Sequence, residues 1–228
     1  MISASMGAGL RQARRGASLR RLALSLALAA GALAAARAQA TAAGDVEKNL
    51  TGLSSWSADF TQTIADGQGK VLRSASGKFY LQRPGKFRWD YAEPSQQLVL
   101  GDGQEIWFYD KDLQQANVRR MDATLASTPA VLLSGTGSVA DQFDIKALPD
   151  EGGLSWYQLL PKHPDTDFQL VRIGFDKAGE LASMFLADKL NQITQLSFTH
   201  PVKNPKLIPD LFTFSPPPGV DVIGRDSK

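Results

Sequence analysis

From Trp56 almost to the C-terminus, apolar and polar residues exchange with a period of two, in segments separated only by short turns. Successive side chains of an extended strand point to opposite faces, so each such segment has one face for an interior and one for water. Trp56, Ala58, Phe60, Gln62 and Ile64 alternate with Ser57, Asp59, Thr61 and Thr63. Asp66-Gly67-Gln68-Gly69 then turns the chain into a strand from Val71 to Arg83, with Ala75, Gly77, Phe79 and Leu81 on one side and Arg83 continuing that side. After Arg83-Pro84-Gly85, the rings of Phe87, Trp89 and Tyr91 oppose Lys86, Arg88 and Asp90. Leu98 to Leu100, the turn Gly101-Asp102-Gly103, and Ile106 to Tyr109 read as a hairpin. Further alternating segments run from Phe143 to Leu148, Leu154 to Leu160, Phe168 to Phe175, Leu181 to Leu186 and Ile193 to Phe198. So many neighbouring strands predict one antiparallel sheet, and a sheet of that extent must curl. The expected class is mainly β with short helices (α+β), built on a single strongly curved antiparallel sheet.

Two stretches break the pattern. Ala43 to Leu53 carries Val46, Leu50 and Leu53 at helical spacing on one face, opposite Glu47, Lys48 and Thr51. Ser127-Thr128-Pro129-Ala130-Val131-Leu132-Leu133-Ser134-Gly135 has a capping residue, a proline at the first helical position and a glycine stop, the signs of a short helix. Ser138-x-x-Asp141 resembles a second capping box. The helix around Leu132 is apolar nearly all round, which places it as a plug or lid over the concave face of the sheet.

The N-terminus belongs to a different kind of segment. Met1 to Arg21 holds five arginines and no acid, Leu22 to Ala36 is an apolar run, and Ala36-Arg37-Ala38 or Ala38-Gln39-Ala40 supplies a small-residue cleavage pattern. These are the parts of a secretory signal peptide, too short in its apolar run to span a membrane. We expect residues 1–38 to be the signal and residues 39–228 the mature domain. Removing the six arginines of that signal from 25 basic residues leaves 19 against 23 acidic ones, so the alkaline character belongs to the signal. A nucleic-acid reading loses its support. The chain has no cysteine, hence no disulfide and no lipid-attachment residue, which suits a soluble periplasmic domain held by its core.

Catalytic groups are sparse. His163 and His200 stand alone in turn-like contexts, and Asp165-Thr166-Asp167 and Asp110-Lys111-Asp112 lack the later glycine and glutamate of a calcium loop. We expect no catalytic residue, metal site or cofactor.

Phe60-Thr61-Gln62, the run from Arg83 to Trp89, Leu98 to Asp102, Ile106-Trp107-Phe108-Tyr109, Thr128-Pro129 and Phe212-Thr213-Phe214-Ser215-Pro216-Pro217 together resemble the periplasmic outer-membrane lipoprotein carrier protein family. The resemblance covers the mature chain with order and spacing intact. It implies an unclosed β-barrel with a helical lid, a soluble chaperone that binds the acyl chains of lipoproteins. It also implies passage of that cargo from an inner-membrane lipoprotein-releasing ABC transporter to an outer-membrane receptor, with no enzymatic step. The family's gating arginine matches Arg83, and its aromatic cavity positions match Phe87 and Trp89.

Alternation adds Phe60, Phe79 and Leu81 to the cavity, and Leu98 and Leu100 are placed with them; Pro129, Val131, Leu132 and Leu133 form the lid. Arg83 is expected to donate to the carbonyls around Leu132 to Gly135, since an inward-facing guanidinium needs partners. The chain is expected to act as a monomer. The rival readings are an acyl-chain sensor or regulator, which would normally bring a second domain, and a periplasmic hydrolase, which would alter its cargo chemically.

Overall fold

In this computed structural model, residues 39–50, 52–121, 133, 138–163 and 166–224 are described. The expected signal peptide and the lid residues Pro129, Val131 and Leu132 lie outside them. Two compact units are distinguished, Met1–Thr41 and Ala42–Lys228, and the second holds the sheet.

Residues 39–50 are helical (α1), with Val46 and Leu50 buried as their spacing predicts; Leu53 is also buried but is not helical. The chain then meanders through β1 (Ser55–Ala65), β2 (Val71–Gln82), β3 (Lys86–Glu93), β4 (Gln97–Asp102), β5 (Glu105–Asp110) and β6 (Gln115–Arg120). The short helix α2 (Val139–Gln142) opens the second meander, β7 (Phe143–Ala147), β8 (Ser155–Pro161), β9 (Phe168–Phe175), β10 (Leu181–Asp188) and β11 (Ile193–Lys203). Ser138 caps α2, its hydroxyl accepting from Ala140 N rather than from the Asp141 N–H that a capping box would use. A 3-10 turn (Pro209–Phe212) and the short strand β12 (Asp221–Ile223) finish the chain.

All twelve strands form one sheet in the order β12-β6-β5-β4-β3-β2-β1-β11-β10-β9-β8-β7. The two meanders join where β1 pairs with β11, and β7 and β12 end the sheet as its two edges. Inward-facing residues from both wings nonetheless meet in one apolar cluster, including Phe60, Phe79 and Trp89 from one side and Leu159, Ile173 and Met184 from the other. A sheet whose wings touch across one face while its edges stay apart is curled and unclosed. The antiparallel expectation holds for every neighbouring pair except the last, because β12 runs parallel to β6.

Small residues make the curl possible at two points. The Phe87 ring lies over Gly101 of the next strand, where an added Cβ would come within 2.5 Å of the ring. At Gly77 an added Cβ would meet the carbonyl oxygen of Asp90 at 1.9 Å, and the β2–β3 register shifts there between Ser76 and Gly77. Glycine at such sites lets a neighbouring ring or backbone close in and the sheet bend.

Candidate functional site

The inner face is dense with aromatic rings. β1 contributes Trp56 and Phe60, β2 Phe79 and Leu81, β3 Phe87 and Trp89, with Phe79 opposite Trp89 and Leu81 opposite Phe87 across the β2–β3 ladder. Trp89 stands edge-on to Phe60 at 4.8 Å and lies 4.3 Å from Phe79, and Phe198 of β11 extends the group at 5.1 Å from Trp56. Tyr91 packs edge-on to Phe60 at 5.1 Å, and burial pushes its phenol up to about 12, so it remains an uncharged group.

The structure thus brings Phe60, Phe79, Leu81, Phe87 and Trp89 together. It corrects the placement of Leu98 and Leu100. Register sets Leu98 opposite Asp90 and Leu100 opposite Arg88, while Val99 faces Trp89 and Gly101 faces Phe87. Both leucines therefore point to the outer face, where they form a second cluster with Trp107, Ala116 and Val118. In a strand apolar at three successive positions, alternation cannot say which face is inward.

Sequence reasoning missed what makes that outer face apolar. The segment after β11 folds back across it, and Phe214 packs on Trp107 at 5.4 Å and on Tyr109 at 5.1 Å. The Phe212-Thr213-Phe214 motif was visible in the sequence; its target on β4 and β5 was not.

Helix α1 covers part of the inner face through Ala42, Val46 and Leu50, joined by Leu133, which is 2% exposed. Arg83 ties these pieces down. Its Nε donates to the Leu133 carbonyl at 3.0 Å and its Nη1 to the Leu50 carbonyl at 2.9 Å. The Leu133 contact is the partner expected from sequence, and the bond to the C-terminal end of α1 is an addition. Burial holds the guanidinium below the ordinary arginine value and Glu47 opposes that, but an arginine stays charged throughout. Glu47 also accepts from Ser138 Oγ at 2.6 Å and from Val139 N at 2.9 Å, linking α1 to α2.

Two spaces are lined by the described residues. Between α1 and the sheet a gap of about 10 Å³ is lined by Leu50, Trp56, Leu81 and Leu133, near the minimum that holds one water. A wider, open depression of about 430 Å³ is bordered by Lys78, Arg88, Asp90 and Lys111 together with Tyr91, Leu98, Tyr109 and Phe214, a mixed lining of charges and apolar groups. No group of three or more His, Cys, Asp or Glu able to hold a metal occurs among the described residues. His200 Nδ1 lies 3.0 Å from Asp59 Oδ2 on the surface, with Lys78 Nζ on the other carboxylate oxygen.

A half-barrel whose aromatic interior is closed by a helix on a few polar bonds belongs to the class of scaffolds that enclose apolar ligands. Residues 51–215 match the family described as outer membrane lipoprotein carrier protein LolA, and the chain belongs to that family. Among its relatives is an outer-membrane lipoprotein carrier protein of Nitrosomonas europaea, 46% identical over 178 residues, which span 78% of this chain and 84% of that one. Another, of the same description, comes from Nitrosospira multiformis and is 41% identical over 186 residues, 82% of this chain and 90% of that one. A crystal structure of a LolA superfamily protein from Nitrosomonas europaea is similar with a TM-score of 0.46 and 10% identity, covering 78% of this chain and 98% of that chain.

Proposed function

We propose that this protein is a soluble periplasmic carrier that holds the acyl chains of lipoproteins against its inner face. It would take them from an inner-membrane ABC transporter and surrender them to an outer-membrane receptor, acting as a monomer, without altering them chemically and without a cofactor. Residues 1–38 would direct export and be removed. Besides family membership, the observation that carries this reading is the inner cluster of Phe60, Phe79, Phe87 and Trp89, closed by a cover that Arg83 holds through two carbonyls.

Apolar walls suffice for affinity, since each buried CH2 contributes about 0.8 kcal/mol. Reversibility requires that the walls be reachable, and the gap of about 10 Å³ admits no acyl chain. Loading against the wall beneath α1 must therefore displace α1 or Leu133, breaking the Arg83 bonds. Re-forming them would favour release, which gives transfer a direction.

The test is incubation with membranes that hold newly made lipoproteins and an active transporter, followed by a search for a soluble one-to-one complex with intact cargo. Absence of that complex overturns the carrier reading, and chemically altered cargo would point to a hydrolase.

A further inference from the structure

Four buried side-chain atoms among the described residues have no hydrogen-bond partner: Gln62 Oε1, Gln82 Oε1, Arg172 Nε and Glu180 Oε2. Two have a local account, and Gln82 sits opposite Ser55 and Lys86 on the outward side of β2, away from the ring-lined face. Arg172 pairs with outward-facing Phe185 and stacks on that ring and on Trp156, at 5.7 Å and 5.2 Å. Glu180 holds Lys203 Nζ through its other oxygen at 2.7 Å.

Gln62 is different. It follows Phe60 by two residues on the inner side of β1, with Ala75 across from it on β2 and the buried Leu196 on β11. A dry acceptor without a donor is penalised, and such a group calls for an explanation outside the chain's own partners. Across β2, Ala75 presents only a methyl group, which supplies no donor to the Gln62 oxygen. A carboxamide offers an acceptor and donors side by side, and a half-turn about its last bond exchanges them. Esters present a carbonyl and amides a carbonyl with an N–H, and these are the linkages that join acyl chains to a polar head.

We propose that Gln62 is the polar subsite of the acyl-binding face, taking the ester or amide linkage of the cargo while the hydrocarbon lies over the rings beside it. The proposal rests on the carrier reading. It assigns Gln62 a specificity role that the rings cannot fill, because rings accept any hydrocarbon. A fixed polar point also sets how deep the chains enter, leaving the head at one position along β1.

The probes are two synthetic lipopeptides of equal chain length, one with ester and amide carbonyls at its linkages and one with ethers throughout. Wild type should bind the carbonyl probe about five- to tenfold more tightly, the worth of one net hydrogen bond. Gln62→Leu, which keeps the volume and adds apolar surface, should bind the ether probe at least as well as wild type and lose the preference. Gln62→Met carries the same comparison should the leucine variant unfold. If the preference survives in the variant, or if wild type shows none while binding both probes, the subsite is wrong and the carrier reading stands. Should wild type bind neither probe, the carrier reading itself fails and takes this subsite with it.

Discussion

Strands β4 and β5 are apolar on both faces, and the two faces are covered in different ways. Inward lie Val99, Ile106 and Phe108, in one cluster with the β3 rings, the α1 residues Val46 and Leu50, and Leu133. Outward lie Leu98, Leu100, Trp107 and Tyr109, beneath Phe214, Val220 and Val222. The outer cover is part of the sheet: β12 pairs with β6 in register from Asp221 to Ile223, Asp221 N donates to Gln114 O at 2.9 Å, and Arg88 Nη1 donates to Leu211 O at 3.1 Å. The inner cover is fastened by side chains, Arg83 to two carbonyls and Glu47 to Ser138 and Val139. The same hydrophobic driving force thus acts on both faces, but among the described residues the outer cover is joined to the sheet by a backbone ladder and the inner cover by side-chain bonds.

The largest effect that would test this contrast comes from the outer face. Trp107→Ala removes a ring that is 3% exposed and packed by Phe214, and such truncations cost about 3 to 5 kcal/mol. Urea unfolding should show that loss, while the protein that remains folded takes up acyl cargo as wild type does. Impaired uptake by folded Trp107→Ala would mean that the outer face is also a binding face.

How far the sequence discloses this contrast depends on the strand. In β1 to β3 one residue in two is polar, so Phe60, Phe79, Leu81, Phe87 and Trp89 could be placed inward from the pattern, and Arg83 with them. In β4 and β5 the pattern is lost because both faces are buried, and Leu98 and Leu100 were assigned to the wrong side. β6 was missed altogether: Ala116 and Val118 are its only apolar residues, and two arginines end it. β12 is three residues long and forms through pairing with β6, a long-range contact that leaves no local periodicity. Gln62 stands in the row that alternation assigns to one face of β1, and nothing in the sequence says that its oxygen lacks a partner.

Arg83→Leu should give the next largest effect, and on the inner cover alone. It removes two charge-assisted donors, leaving the Leu50 and Leu133 carbonyls to find others, at about 3 kcal/mol of local stability. Hydrogen exchange of the α1 amides should accelerate while that of β4 to β6 stays unchanged. The variant should still load cargo but pass it poorly to receptor-bearing outer membrane. Transfer equal to wild type would rule out the latch.

Tyr91 reports whether the inner face is dry in solution. Its phenol is pushed up to about 12, above the ordinary value of 10, so the unfolded chain ionises first as pH rises. The neutral phenol's contribution is therefore complete below pH 10 and is lost between there and about 12, a decline of at most about 3 kcal/mol. Tyr91→Phe cannot ionise, so the stability difference between wild type and variant should shift by that amount across the alkaline range. A difference that stays flat would mean that water reaches the rings even when the cover is closed.

The smallest effect concerns the second fastening of the inner cover. Glu47 Oε1 takes two donors, Ser138 Oγ and Val139 N, so one carboxylate joins α1 to the start of α2 while its charge supports the nearby Arg83. Glu47→Gln keeps an acceptor oxygen and drops the charge, which should cost about 1 kcal/mol, the margin between charged and neutral hydrogen bonds. Exchange of the α1 amides would rise modestly. The informative measurement is the double variant. If Arg83 and Glu47 fasten one cover that opens as a unit, Glu47→Gln should add little to α1 exchange once Arg83→Leu has already released it, because a broken fastening cannot be broken again. Additive effects would instead show that the two residues hold separate pieces, and that the inner cover opens at its Arg83 end and its Glu47 side independently.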